Sequence, residues 1–427
     1  MTNSQDRNEQ TPLLEEANLT QQSTKSTIKD LKPFIAPIIS SNFLALIAGL
    51  NDGNLGIIIP RLREYYDISN GTVSILFLCN CLGFFTAATC NGYLVHQLGQ
   101  LRTIYLGATA ITIAYLILYQ GWAFPIMCCA MVIQGSALGW MNASINVYIA
   151  NLPSSTLLLN ILHAFYGIGA LISPLIGTWL LANHLSWKGI YIFLLCIAMI
   201  NFILITIGFK NVNFDEDHKK ENEEEEDNND DDATIRHKAI FNRMTLLGAL
   251  YILTYAGVEV CVGGWSYTYL KDGLHGDPIT MGRVVSGYWT GLAVGRLVLG
   301  WFTGRYGEKP MISLFTTIAA VLLITTWVVP ILWVNCVCIV LVGFFIGPFF
   351  PSCVSLASKV LPRKMHPTAI GFMSAFGAGG GALFPFLLGQ IAEFIGILYM
   401  PLAWFTCAVI MQVIWTFIPN GKSKLQF

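Results

Sequence analysis

Apolar residues run along most of this chain in blocks far longer than a soluble helix needs, with short polar interruptions between them. Crossing about 30 Å of hydrocarbon takes around 20 apolar residues in a helix. Blocks of that length occupy 34–60, 70–95, 102–120, 124–151, 160–183, 188–209, 239–270, 280–303, 310–329, 331–360, 367–395 and 398–419. The pattern predicts an all-α polytopic membrane protein with twelve transmembrane helices. One interruption is longer than the rest: "NVNFDEDHKKENEEEEDNNDDDATIRHK", residues 211–238, which reads as a solvated acidic linker. The expected organisation is a disordered polar tail over 1–33, six helices over 34–210, the linker, six more helices over 239–419 and a short tail over 420–427.

Composition agrees with the pattern. Hydrophobic residues make up 54% of the chain and charged residues only 11%, against roughly 25% charged in a soluble domain. Of 25 acidic residues, 12 lie between Asp215 and Asp232, and the net charge of -1 points to no nucleic-acid partner. The eleven cysteines sit in or beside apolar stretches, as at Cys79, Cys128 and Cys336, which suits small apolar filler better than a disulfide framework. The first 30 residues hold no short apolar core before a cleavage site, so the first transmembrane helix is expected to direct insertion. With both termini in the cytosol, 18 Lys and Arg fall on the cytosolic side, five on the other, and Arg296 within a helix. That bias predicts both ends inside.

The two halves repeat. Gly83 and Gly291 are 208 residues apart, as are Gly92 and Gly300, Gly99 and Gly307, Gly135 and Gly343, and Gly139 and Gly347. Gly169 and Gly380 are 211 apart, as are Pro174 and Pro385. One offset held across different helix pairs predicts two pseudo-symmetric six-helix bundles with a cavity between them near the bilayer midplane.

Chemistry-bearing residues inside the spans are few. "LALIAGLNDGNLGIIIP", Leu44 to Pro60, carries Asp52 between Asn51 and Asn54. A carboxylate at that depth costs several kcal/mol, so it marks a candidate functional site. A carboxyl in a cavity that opens alternately to two aqueous phases would meet different hydration in each state, and a pH gradient could then bias the cycle. The other reading is a neutral strut between helices. Glu259 holds nearly the same place in the second half, and each acid is followed four residues later by a glycine, Gly56 and Gly263, on its own face. Glu259 could equally pair with Arg296. Asn142 and Asn146 share one helix face and suit either hydroxyl recognition or interhelical bonding. His163 could relay protons, donate to a solute or simply pack. Of the aromatics on these helices (Trp140, Tyr166, Trp265, Tyr267, Tyr288 and Trp289), Trp265 beside Gly263-Gly264 is the first candidate to stack on a sugar face.

Five stretches carry a family resemblance: "GLNDGNLG", "QGSALGWMNASINVYI", "LNILHAFYGIGALISPLIG" and, in the second half, "YAGVEVCVGGW" with "GFMSAFGAGGGALFPFLLG". Together with the loop "GYLVHQLGQLR" and its copy "GWFTGRYGEK", they resemble the major facilitator superfamily. Within it they resemble the fucose–galactose–hexose:proton symporter branch, including fungal members. The resemblance implies the two-bundle transporter fold and a proton-coupling role for Asp52. Asn142 falls where the bacterial permease has a second carboxylate, and an amide carries no proton. His163 falls where that protein has a sugar-contacting Gln. In the loop, His96 replaces the usual acid and Gln97 the usual Arg, while Gly92, Gly99, Gly300 and Gly307 are kept for a tight turn and close helix approach.

"EQTPLL" places Glu9, Leu13 and Leu14 as an acidic dileucine sorting signal, which would recruit adaptor complexes and favour a vacuolar membrane over the cell surface. No metal-ligand spacing, nucleophile elbow or phosphate loop stands out; "GAGGG" at 377–381 lies mid-span and reads as a packing or hinge element. The expectation is a transporter, not an enzyme, with no cofactor or metal. It would move a sugar-like solute with protons across a lipid bilayer. Asp52 and Glu259 would handle protons, while Asn51, Asn142, Asn146, His163 and Trp265 would contact solute. An uncoupled facilitator and a non-transporting solute sensor are the rivals.

Overall fold

At bilayer depth no water satisfies backbone groups, so each apolar block closes its hydrogen bonds internally as a helix. The computed structural model describes residues 31–150, 152, 155–210, 212, 237–362 and 365–420, and every regular element among them is helical. The tail with Glu9, Leu13 and Leu14, most of the acidic linker, and the last seven residues lie outside the described residues. The first bundle comprises α1 (Ile35–Tyr66), α2 (Ile75–Leu98), α3 (Gln100–Gln120), α4 (Phe124–Ala150), α5 (Ser155–Ala182) and α6 (Lys188–Gly208). The second comprises α7 (Arg243–Thr268), α8 (Pro278–Tyr306), α9 (Glu308–Val328), α10, α11 (His366–Phe394) and α12 (Met400–Phe417). α10 has two pieces, Leu332–Ile346 and Phe349–Val360, parted at Pro348, which has no N–H to donate.

Eleven helices among the described residues are long and apolar enough to cross a membrane. The expected twelfth, α8, has the length, 29 residues, but Arg283, Arg296 and Arg305 interrupt it. Asp277 starts that helix by accepting from Thr280 N at 2.8 Å, and this bond holds its carboxyl below the usual carboxylate range. α1 runs past its apolar block to Tyr66, because Arg61, Arg63 and Glu64 reach beyond the membrane without ending the helix.

The repeat appears as paired contacts. A Cβ on Gly83 would lie 2.0 Å from Val132 O, and one on Gly291 2.6 Å from Val340 O; the two valines are also 208 residues apart. Gly135 meets Asn80 O at 1.8 Å, and Gly343 meets Tyr288 O at 2.3 Å, again at the same offset. Gly169 and Gly380 press α5 on α1 and α11 on α7, at 2.1 Å from Leu46 O and 1.9 Å from Leu253 O. These crossings admit no side chain, the arrangement by which small residues bring membrane helices together. Gly99 and Gly307 turn one helix into the next at φ 82° and 95°, a region open mainly to glycine. Gly300 departs from expectation: a Cβ there meets nothing within 4 Å, so it serves no close approach. Gly92 lies within α2, and Pro174 and Pro385 lie inside α5 and α11.

Ser40 Oγ donates to Leu204 O at 2.6 Å and Arg243 Nη2 to Phe417 O at 3.3 Å, so α1, α6, α7 and α12 share one side, the linker side. The bundles meet toward the opposite, far side. There Gly56 of α1 lies against Gly263 O and Gly264 O of α7, and Gly282 of α8 against Thr178 of α5. Gln390 of α11 donates to Gly71 O at 2.9 Å. Arg63 pairs with Asp272 at 3.0 Å, and Lys271 with Glu64 at 3.5 Å, joining the ends of α1 and α7. Among the described residues, α4 and α10 make no extended packing with the opposite bundle. Among the described residues the bundles are therefore joined on the far side.

Candidate functional site

The site is built where α1 and α5 face α7 and α8. Asp52 sits mid-way along α1 and is exposed, although its neighbours Asn51, Gly53 and Asn54 are buried. Glu259 of the opposite bundle lies within electrostatic range, so Asp52 faces the space between the bundles rather than lipid. Tyr166 Oη donates to Asp52 Oδ2 at 2.7 Å, and Asn51 Nδ2 donates to Oδ1 at 3.3 Å. Behind them Tyr115 Oη donates to Asn51 Oδ1 at 3.2 Å, which turns the amide's N–H toward the carboxylate. Among the described residues, both donors to Asp52 are neutral.

Glu259 has a different shell. Arg296 Nη2 donates to its Oε1 at 2.9 Å, with side chains 12% and 27% exposed for acid and base. Tyr288 Oη donates to Glu259 O at 2.8 Å and fixes α8 against α7. The ion pair considered for Glu259 in the sequence is the arrangement found. The guanidinium of Arg296 is a permanent cation, so it gives Glu259 an ion-pair partner that Asp52 lacks.

His163 is exposed on α5 and feels the charge of Arg296 across the gap. Asn142 is half-buried on α4, and its amide makes no hydrogen bond among the described residues. Asn146 spends its amide N–H on Asn142 O at 2.8 Å within its own helix. Asn51, at 6% exposure, is a buried support for Asp52 rather than a cavity-facing group. Trp265 is fully buried: its indole N–H donates to Pro385 O at 3.0 Å and its ring packs 6.2 Å from Phe77, so in this conformation it braces the far-side seal and reaches no solute. Asp52, His163, Glu259 and Arg296 are thus brought together, while Trp265 stands apart. The sequence named Tyr166 only as an aromatic on a cavity helix, and Tyr115 not at all. Tyr166's place one turn before the α1-contacting Gly169 and Ala170 was the available signal.

Two bundles related by an internal repeat, with a polar site between them, define a membrane transporter architecture. The chain belongs to the Major Facilitator Superfamily, whose model matches residues 42–275 and 247–426. It is 28% identical over 411 residues to Bypass of stop codon protein 6 of Saccharomyces cerevisiae, covering 90% of this chain and 82% of that one. It is 22% identical over 376 residues to a putative glucose/galactose transporter of Helicobacter pylori, covering 82% of this chain and 86% of that one. Among solved structures it resembles the D-xylose-proton symporter, with a TM-score of 0.73 at 12% identity over 92% of this chain and 99% of that one. It also resembles the E. coli fucose:proton symporter, with a TM-score of 0.61 at 16% identity over 91% of this chain and all of that one. The resemblance read from the motifs, to the fucose–galactose–hexose branch and its fungal members, is borne out.

Proposed function

We propose that this protein moves a hexose or related sugar across a membrane by alternating access, coupled to protons through Asp52. One observation carries the reading. Asp52 is exposed and faces Glu259 of the opposite bundle, and among the described residues only neutral groups bond to it, which suits a carboxyl that changes charge. Sugar enters through the chemistry on offer and through the printed names of the relatives. His163, the unbonded amide of Asn142 and the outward-facing part of the Glu259–Arg296 pair give donors and acceptors for solute hydroxyls. Glu259, ion-paired to Arg296, takes the secondary place of the two acids.

Charge bias favours a cytosolic linker and cytosolic termini, and with the bundles joined on the far side the conformation is read as inward-facing. The dileucine motif at Glu9, Leu13 and Leu14 would direct the protein to a vacuolar membrane through adaptor complexes, with the cell surface as the alternative. Asn142, in place of an acid, favours an uncoupled facilitator as the second reading.

The test is counterflow and gradient-driven uptake in liposomes with D-glucose, D-galactose, D-xylose and L-fucose. Accumulation of one of these above its external concentration, only when an inward proton gradient is imposed, is expected. Counterflow without gradient-driven accumulation would move the assignment to the facilitator. Saturable binding with no counterflow would move it to a sensor.

A further inference from the structure

Asp52 does not take its two hydrogen bonds from chance neighbours. Tyr166 approaches it because α1 and α5 are locked backbone to backbone. A Cβ on Gly49 would lie 1.9 Å from Tyr166 O, one on Gly53 2.5 Å from Ala170 O, and one on Gly169 2.1 Å from Leu46 O. Three such crossings leave α5 no freedom to slide along α1, so the Tyr166–Asp52 bond travels with its bundle. The Asn51 arm is anchored in the same bundle. Tyr115, fully buried on α3, spends its O–H on Asn51 Oδ1, and Asn51 can then present only N–H to Asp52. The charged and titratable groups that act on Asp52 or on its neighbours are His163 of α5, which faces Arg296, Tyr191 of α6, which faces Tyr115, Tyr115 of α3, Tyr166 of α5, Glu259 of α7 and Arg296 of α8. Only the last two belong to the other bundle, and rocking changes only their separation from Asp52.

We infer that Tyr166 and the Tyr115–Asn51 pair are positioning residues that set the pH at which Asp52 takes up its proton, through two hydrogen bonds that stay constant through the transport cycle. The inference rests on Asp52 being the proton site. A hydrogen bond donated to a carboxylate favours its charged form, and neutral donors do so without fixing the charge as a guanidinium would. Removing a donor therefore lets the proton bind at higher pH. Nothing in this shell needs to break when the bundles tilt.

The experiment needs no solute. The full chain in liposomes is titrated with protons alone, and the protonated-carboxyl C=O band is followed by infrared difference spectroscopy. The Asp52 band is the one lost in Asp52→Asn. Tyr166→Phe, which keeps the ring and loses the hydroxyl, is expected to raise the midpoint of that band by about one pH unit, tenfold in proton affinity. Tyr115→Phe and Asn51→Leu should raise it in the same sense by less. Tyr105→Phe, which loses an equivalent hydroxyl bond to Thr206 Oγ1 at 3.1 Å elsewhere in the bundle, should leave it unmoved. A merely structural role would lower the folded yield or turnover without moving the midpoint. An Asp52 band whose midpoint is the same in wild type and in every folded variant of this set overturns the inference and leaves the proton role of Asp52 standing. Absence of any Asp52-dependent band between about pH 4 and pH 9 overturns both.

Discussion

Asp52 and Glu259 occupy corresponding places in the two bundles, each mid-way along the bundle's first helix and one turn before a glycine. Their partners differ in kind. Asp52 is held by a phenol and an amide, Glu259 by a guanidinium. Neutral donors steady a carboxylate yet let it change charge, whereas a permanent cation fixes it. The duplication kept the helix crossings, as the matched glycine contacts show. It let the partners of the acids diverge, neutral donors in one bundle and an ion pair in the other.

The largest expected effect falls on Asp52. Asp52→Asn should abolish sugar accumulation driven by a proton gradient while leaving counterflow partly intact, as measured in liposomes. Equal loss of both activities would break the comparison, since a neutral amide should spare the solute path. Next comes the ion pair. Arg296→Gln strands a half-buried carboxylate and should cost on the order of 3 kcal/mol, seen as a lowered melting temperature in detergent. The double change Glu259→Gln with Arg296→Gln removes both charges and should recover most of that loss. If it recovers none, the pair is not what holds Glu259. The smallest effect concerns the far-side seal. Arg63 and Asp272 are each over a quarter exposed, so Asp272→Asn should shift the balance toward far-side opening by only about 1 kcal/mol. Spin-label distances between the α3–α4 and α9–α10 turns would report it as roughly a fivefold change in the open fraction.

Much of this architecture was legible before any coordinates. Apolar block length gave the helices, and equal glycine spacing gave the repeat, because both are periodic properties of the chain itself. Asp52 stood out because charge is costly at that depth. Contacts between distant helices were not legible. Nothing near Asp52 in the chain names Tyr166, which reaches it only because Gly49, Gly53 and Gly169 close the α1–α5 gap. Trp265 looked like a cavity aromatic beside two glycines, yet those glycines admit Gly56 and the Trp289 ring, and its indole turns to Pro385. Gly300 shared the motif's spacing without its packing, since spacing cannot show which neighbour is missing. The far-side pairs Arg63–Asp272 and Lys271–Glu64 were visible only as charges counted for orientation.

Solute-evoked proton movement tests the distinction between the two acids most directly. Liposomes loaded with a pH-sensitive dye would receive the sugar that gives counterflow. Wild type and the Glu259→Gln, Arg296→Gln double variant are compared with Asp52→Asn. Proton movement retained in the double variant and absent from Asp52→Asn is the predicted result. Movement retained in Asp52→Asn and lost in the double variant would place the proton in the other bundle and contradict the account.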